Sequence, residues 1–241
     1  MKKGGNFIGV VGVASFMFCI ASCEQPDGGT DFINTNEQAG FMSTTGNSNQ
    51  ILENKFEAQL PLLHMKLNGD LSEEEAAARF DEVVAEYMKN NEKSDKAVST
   101  EWYYRIATLT GTQAGNGTDG NVRASVYFYT DKGAHNAKNI VLDYPDIDER
   151  ELGKWDYYLF KTAFPNQAVS WVKVGASNIQ LQGTDAWFVK QFHTYMVTSD
   201  QTVPASGTTN IYTFPNVWLD NNCADCWDTY QRRGGYGKLE F

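Results

Sequence analysis

The chain has 241 residues, with 20 Lys and Arg against 30 Asp and Glu, and a formal charge of −10. That balance excludes nucleic acid and a bare anionic bilayer as unaided partners, because both repel an acidic surface. The length suits one sizeable domain with an appendage.

Residues 1–22 read as a lipoprotein signal peptide. Lys2 and Lys3 give a positive start, and residues 7–21 form an apolar run, too short for the roughly 20 residues of a membrane span. The run ends in Ile20-Ala21-Ser22-Cys23. Small residues before a cysteine at this place resemble the lipobox of bacterial lipoproteins. The resemblance implies cleavage before Cys23 and lipidation of its thiol; an ordinary secretory signal cut elsewhere is the alternative. Acyl chains hold a protein to a bilayer by apolar burial, about 0.8 kcal/mol per CH₂. The expected product is exported and lipid-anchored to the bacterial cell envelope, in the outer membrane. Losing Lys2 and Lys3 moves its formal charge to about −12.

Residues 23–50 are rich in Gly, Thr, Asn and Gln and read as a flexible tether. Residues 51–93 change character and predict a helical hairpin. Leu52, Phe56, Leu60, Leu63 and Leu67 follow helical spacing, interrupted at Pro61. After Asn68-Gly69-Asp70, Ser72 and Glu75 make a capping box ahead of Ala76, Phe80, Val83, Val84 and Tyr87. Such a hairpin packs on itself or on its neighbour, or else binds a partner.

From Trp102 the pattern turns to β. Seven or so strand-like runs, rich in aromatic and β-branched residues, are divided by turn clusters. Short, closely spaced runs of this kind predict an antiparallel β-sandwich. Trp102, Trp155, Trp171 and Trp187 read as core or sheet-face residues.

Within residues 101–220 several pieces follow in order: Gly117-Thr118-Asp119; Leu142 and Asp143 with Glu151, Gly153 and Asp156; Asp185 with Trp187; and Phe214-Pro215 with Trp218. This order resembles the PLAT/LH2 domain of lipoxygenases and pancreatic-type lipases. The resemblance implies two four-stranded antiparallel sheets, no active site, and docking to membranes or proteins. It also implies calcium at the end loops, with Asp119, Asp148, Glu149, Glu151 and Asp185 as ligands. Oxygen donors of this type suit calcium, which takes six to eight of them, and clustered carboxylates repel one another without a cation. Gly120 and Ala186 stand where some members carry further acids, so one site at most is expected. Asp119 can instead make a local turn, Glu149 and Glu151 can face water or pair with Arg150, and Asp156 is expected to pin a loop. For membrane or partner contact the expected tip residues are Ile179 and Leu181. Trp218 matches a family position near the tip, although a tryptophan ending a strand is also commonly part-buried.

Residues 221–241 form a C-terminal tail holding Cys223 and Cys226. A redox motif, a zinc half-site, a local disulfide and two free thiols compete for this pair; the disulfide suits an exported chain. No Gly-x-Ser-x-Gly, His-Glu-x-x-His or phosphate loop occurs. The expectation is a non-catalytic envelope lipoprotein that docks, with or without calcium, to a lipid or protein partner. The alternatives are an accessory subunit binding through the helical hairpin, and a glycan-binding protein.

Overall fold

The computed structural model describes residues 58–91, 101–143, 149–165, 167–197, 206–220 and 223–241. The signal peptide, Cys23, the tether and Asp148 lie outside the described residues. In chain order the elements are β1 (Leu63–Asn68), α1 (Glu73–Asn90), β2 (Glu101–Thr110), β3 (Asn121–Thr130), β4 (Gly133–Val141), β5 (Lys154–Ala163), β6 (Trp171–Gln182), β7 (Trp187–Val197), β8 (Thr209–Thr213), β9 (Val217–Leu219), β10 (Trp227–Arg233), β11 (Tyr236–Gly237) and β12 (Leu239–Glu240).

The protein is mainly β, a sandwich of two antiparallel sheets. One sheet has seven strands in the order β1-β5-β2-β7-β8-β11, with β9 beside β7; the other has five, β10-β6-β3-β4, with β12 beside β6. Both are wider than four strands, because β1 extends one edge of the first and the C-terminal segment supplies β10, β11 and β12. Residues 223–241 are therefore part of the sandwich.

Period-2 alternation sorts the side chains into two cores. In β2, Trp102, Tyr104 and Ile106 face the opposing sheet and meet Val122, Val126 and Phe128 of β3 and Val172 and Val174 of β6. In β5, Tyr158 and Phe160 join that core, while Trp155, Tyr157 and Leu159 point to the other face. There α1 lies across the sheet. Its buried stripe of Ala76, Phe80, Val84 and Met88 packs on Ala107, Leu109 and Tyr157, with Phe80 and Tyr157 ring centroids 5.3 Å apart. Each such side chain contributes about 1.5–3 kcal/mol when fully buried. Arg105 reaches back to the Asp81 carboxylate of the helix. The N-terminus of α1 carries the reciprocal cap: Glu75 N–H donates to Ser72 Oγ at 3.2 Å, and Ser72 N–H donates to Glu75 at 3.0 Å.

Two expectations are corrected. Residues 63–68 are not the first helix of a hairpin but strand β1, paired with β5 from Leu63↔Leu159 to Asn68↔Lys154. A separation of four, as between Leu63 and Leu67, is a multiple of the strand period as well as a helical step, and Leu60 stands exposed. The apolar stripe of α1 packs on the sheet. Ile179 and Leu181 are not tip residues; both are 0% exposed within β6, facing the inter-sheet core. Gly175 resembles a turn signal in sequence, yet the strand runs through it. A Cβ there would meet the Tyr129 ring at 2.4 Å, so the glycine makes room for a cross-strand aromatic.

Candidate functional site

Strands β2, β4 and β6 end, and β3, β5 and β7 begin, at one pole of the sandwich. This follows from the pairings Leu109↔Trp155, Thr110↔Val189 and Asn121↔Gln182. The loops there are stitched by backbone hydrogen bonds. Gly111 N–H donates to Phe188 O (3.1 Å), Phe188 N–H to Asn116 O (3.0 Å), and Gly153 N–H to Gly111 O (2.9 Å). Gly117 lies so close to the 149–153 segment that a Cβ would meet Arg150 O at 2.9 Å. The glycines thus bring one loop against the next.

Asp119, Glu149, Glu151 and Asp185 line one hollow of about 220 Å³ at this pole. They come from three separate connections, as the sequence suggested, but their roles differ. Asp185 is the structural acid: one carboxylate oxygen accepts from Thr118 Oγ1 and from Asp119 N–H, both at 2.8 Å. Thr118 Oγ1 in turn accepts from Gly120 N–H at 3.0 Å. The Asp119 and Glu151 side chains lie on the exposed side, whereas Glu149 is buried. Leu152, 41% exposed, sits on the hollow's wall.

The donors are all oxygens, the chemistry a hard cation requires. Among the described residues, however, no three acidic, histidine or cysteine side chains converge as a metal's ligand set. The described side chains alone do not complete a calcium site.

Arg150 is the residue that the sequence reading underrated. It is buried, with a left-handed backbone (φ 57°). Its guanidinium donates to Leu142 O and to Gly120 O (3.5 Å) and lies 3.9 Å from Asp143 Oδ1. It therefore fixes a positive charge beside the acids and ties two loops together. Its backbone N–H donates to Asp156 (2.9 Å), and the other Asp156 oxygen lies 2.9 Å from His64 Nε2. Asp156 is a buried loop pin.

A second hollow, of about 200 Å³, opens on the other side of the same β2–β3 loop, with Trp218 and Phe188 on one wall. Trp218 is 41% exposed, and its ring meets Phe188 edge-on at 5.2 Å. Further along this outer face Tyr212 and Phe214 are also exposed, above the buried imidazole of His193. His193 Nε2–H donates to Gln191 Oε1 at 2.9 Å and lies 3.7 Å from Glu73. Burial, helped by Arg105, pushes the His193 pKa down to about 3. Burial also raises the Glu73 carboxyl, against the lowering effect of its hydrogen bond from Tyr195 OH.

Cys223 and Cys226 form a disulfide, with Cα atoms 5.2 Å apart, in the connection that leads from β9 in one sheet to β10 in the other. Among the described residues no helix is long and apolar enough to cross a membrane.

No family model and no curated protein matches this chain. Several solved structures are similar to part of it. Alpha-toxin from an avian strain of Clostridium perfringens is 15% identical, with a TM-score of 0.36 over 58% of this chain and 34% of the toxin. Alpha-toxin from Clostridium absonum is 14% identical, with a TM-score of 0.37 over 59% of this chain and 34% of its own. Coral 8R-lipoxygenase, described as activated by calcium via a C2-like domain, is 16% identical, with a TM-score of 0.36 over 54% of this chain and 16% of the enzyme. The chain thus spans about a third of the toxins and about a sixth of the lipoxygenase. These are likenesses only; the antiparallel β-sandwich rests on this chain's own two sheets.

Proposed function

We propose that this is a non-catalytic, lipid-anchored envelope protein of PLAT/LH2 type whose loop pole docks to a lipid or protein surface. The observation that carries the reading is the acidic hollow. Asp119, Glu149, Glu151 and Asp185 line it from three loops, with Leu152 exposed on the wall. Like charges gathered at one pole favour uptake of a cation. Calcium is the ion this reading assigns; Asp119, Glu149, Glu151 and Asp185, with Asp148, would have to close in from their present separation to supply its oxygens, and the bound ion would offset the pole's negative charge and let an anionic surface approach. Acylated Cys23 supplies the permanent attachment, and the sandwich supplies the second contact.

The test uses a Cys23→Ser chain, which cannot be acylated. Calcium is expected to raise its melting temperature by several degrees, since binding at 100 times Kd adds about 2.7 kcal/mol to stability. It is also expected to drive sedimentation with phosphatidylglycerol vesicles, reversed by chelator. No thermal shift removes the cation from the reading. A shift without vesicle binding moves the docking partner from lipid to protein.

A further inference from the structure

We infer that the second hollow is a subsite for a single pyranose ring of a neutral glycan. This inference is independent of the cation reading, because it uses different side chains on the opposite side of the shared loop. The wall is an aromatic face. Trp218 is part-exposed, and Phe188 braces it edge-on at 5.2 Å, so the indole is held in place before any ligand arrives. A pyranose ring has one face of C–H groups, which packs on such a surface, while its hydroxyls point outward and need partners that both donate and accept.

The remaining lining supplies such partners: Thr112, Gln113, Asn116 and Asn216, hydroxyl and amide side chains of both hydrogen-bonding senses. Among the described residues no carboxylate lines the hollow, which sets it apart from its acidic neighbour. Among the described residues Lys190 is the one charged side chain on the lining, too little for a phosphate, which binds best where several donors or cations meet. Asn116 forms part of the hollow's floor. It is 3% exposed, lines the hollow, and its Oδ1 accepts no hydrogen bond from any described residue.

The size agrees. At about 200 Å³ the hollow falls below the ~300–1,000 Å³ usual for drug-sized ligands, which leaves room for one ring rather than a long buried chain. The floor is also rigid. Asn116 N–H donates to Gln113 O at 3.1 Å, and the backbone of Asn116 and Gly111 is bonded to Phe188 on either side. Asn216 is held in its own turn, its Nδ2 donating to Phe214 O at 3.1 Å. Such a site recognises its ligand without reorganising, which limits the cost of binding.

The experiment is affinity electrophoresis of the full chain in detergent, in native gels containing barley β-glucan, glucomannan, xylan or polygalacturonate. At least one of the three neutral polysaccharides is expected to retard the wild type. Trp218→Ala should weaken that retardation at least tenfold, Gln113→Ala severalfold, and Trp218→Phe less than Trp218→Ala. Trp171→Ala, a half-buried tryptophan outside the hollow, should leave it unchanged. Asp119→Asn and Glu151→Gln, which disable the acidic hollow, should also leave it unchanged, so failure of the cation reading is told apart from failure of this one. The inference is overturned if no neutral polysaccharide retards the wild type, or if Trp218→Ala binds as the wild type does. It is also overturned if Trp218→Ala loses vesicle binding while keeping polysaccharide binding, which would assign the hollow to lipid.

Discussion

The two hollows share one loop, residues 111–120, and differ in almost everything else. On one side the loop contributes Gly117, Thr118 and Asp119 to a carboxylate-lined space; on the other it contributes Thr112, Gln113 and Asn116 to an aromatic and amide-lined one. The acidic side is largely occupied with holding itself together, as the hydrogen bonds to Asp185 and the guanidinium of Arg150 show. Each side also holds a buried polar atom with no hydrogen-bond partner among the described residues, Arg150 Nε on the acidic side and Asn116 Oδ1 on the other.

The largest expected effect of a substitution at neutral pH comes from removing the pin under the acidic side. Asp156→Ala strands two buried donors, Arg150 N–H and His64 Nε2, at about 1–3 kcal/mol each. We expect a loss of about 3 kcal/mol in urea unfolding. Amide exchange should rise at residues 149–153 and not at 187–190; equal loosening of both segments would make the two hollows one structural unit.

The next effect concerns the outer face beside the amide hollow. His193 is held neutral, its pKa lowered from 6.5 to about 3. Between those values the unfolded chain takes up a proton that the folded chain does not, so the stability present above pH 6.5 falls as pH drops, by about 1.4 kcal/mol per unit. Glu73 works the other way: its raised pKa favours the fold at low pH, and that benefit is lost as pH rises through its folded value. Urea midpoints from pH 7 to pH 4 should therefore fall more steeply in the wild type than in His193→Gln. Parallel slopes would sink this assignment.

The smallest effects separate two acids of the same hollow. Asp185→Ala should cost about 2 kcal/mol, because it removes a charged acceptor from two donors. Asp119→Asn, on an exposed side chain, should change stability by no more than about 0.5 kcal/mol while weakening any calcium response. Equal costs would mean that Asp119 is structural too.

Much of this arrangement was legible in the residues. Alternating aromatic runs gave the sandwich and Ser72 and Glu75 gave the helix start, while the family resemblance put Asp119, Glu149, Glu151 and Asp185 on end loops, where they line one hollow. Other parts were hidden for identifiable reasons. Leu63 and Leu67 fit two periods at once, and only the partner strand decides between them. Ile179 and Leu181 follow a glycine whose purpose, clearance for Tyr129, depends on a residue in another strand. The layer under α1 is encoded in Trp155, Tyr157 and Leu159, which read simply as one more hydrophobic strand until something covers their outer face. The amide hollow was less legible still, since Thr112, Gln113 and Asn116 meet Trp218 only after folding.

The link between Cys223 and Cys226 has a consequence for the order of assembly. Cysteines three positions apart close a ring too small to remove much freedom from the unfolded chain, so the bond adds little to global stability. What it fastens is the crossing between the sheets, ahead of the strand that completes the second one. That fastening needs an oxidising milieu. Under reducing conditions the bond is absent and β10 docks on a looser leash, which leaves the last seam of the sandwich easier to open.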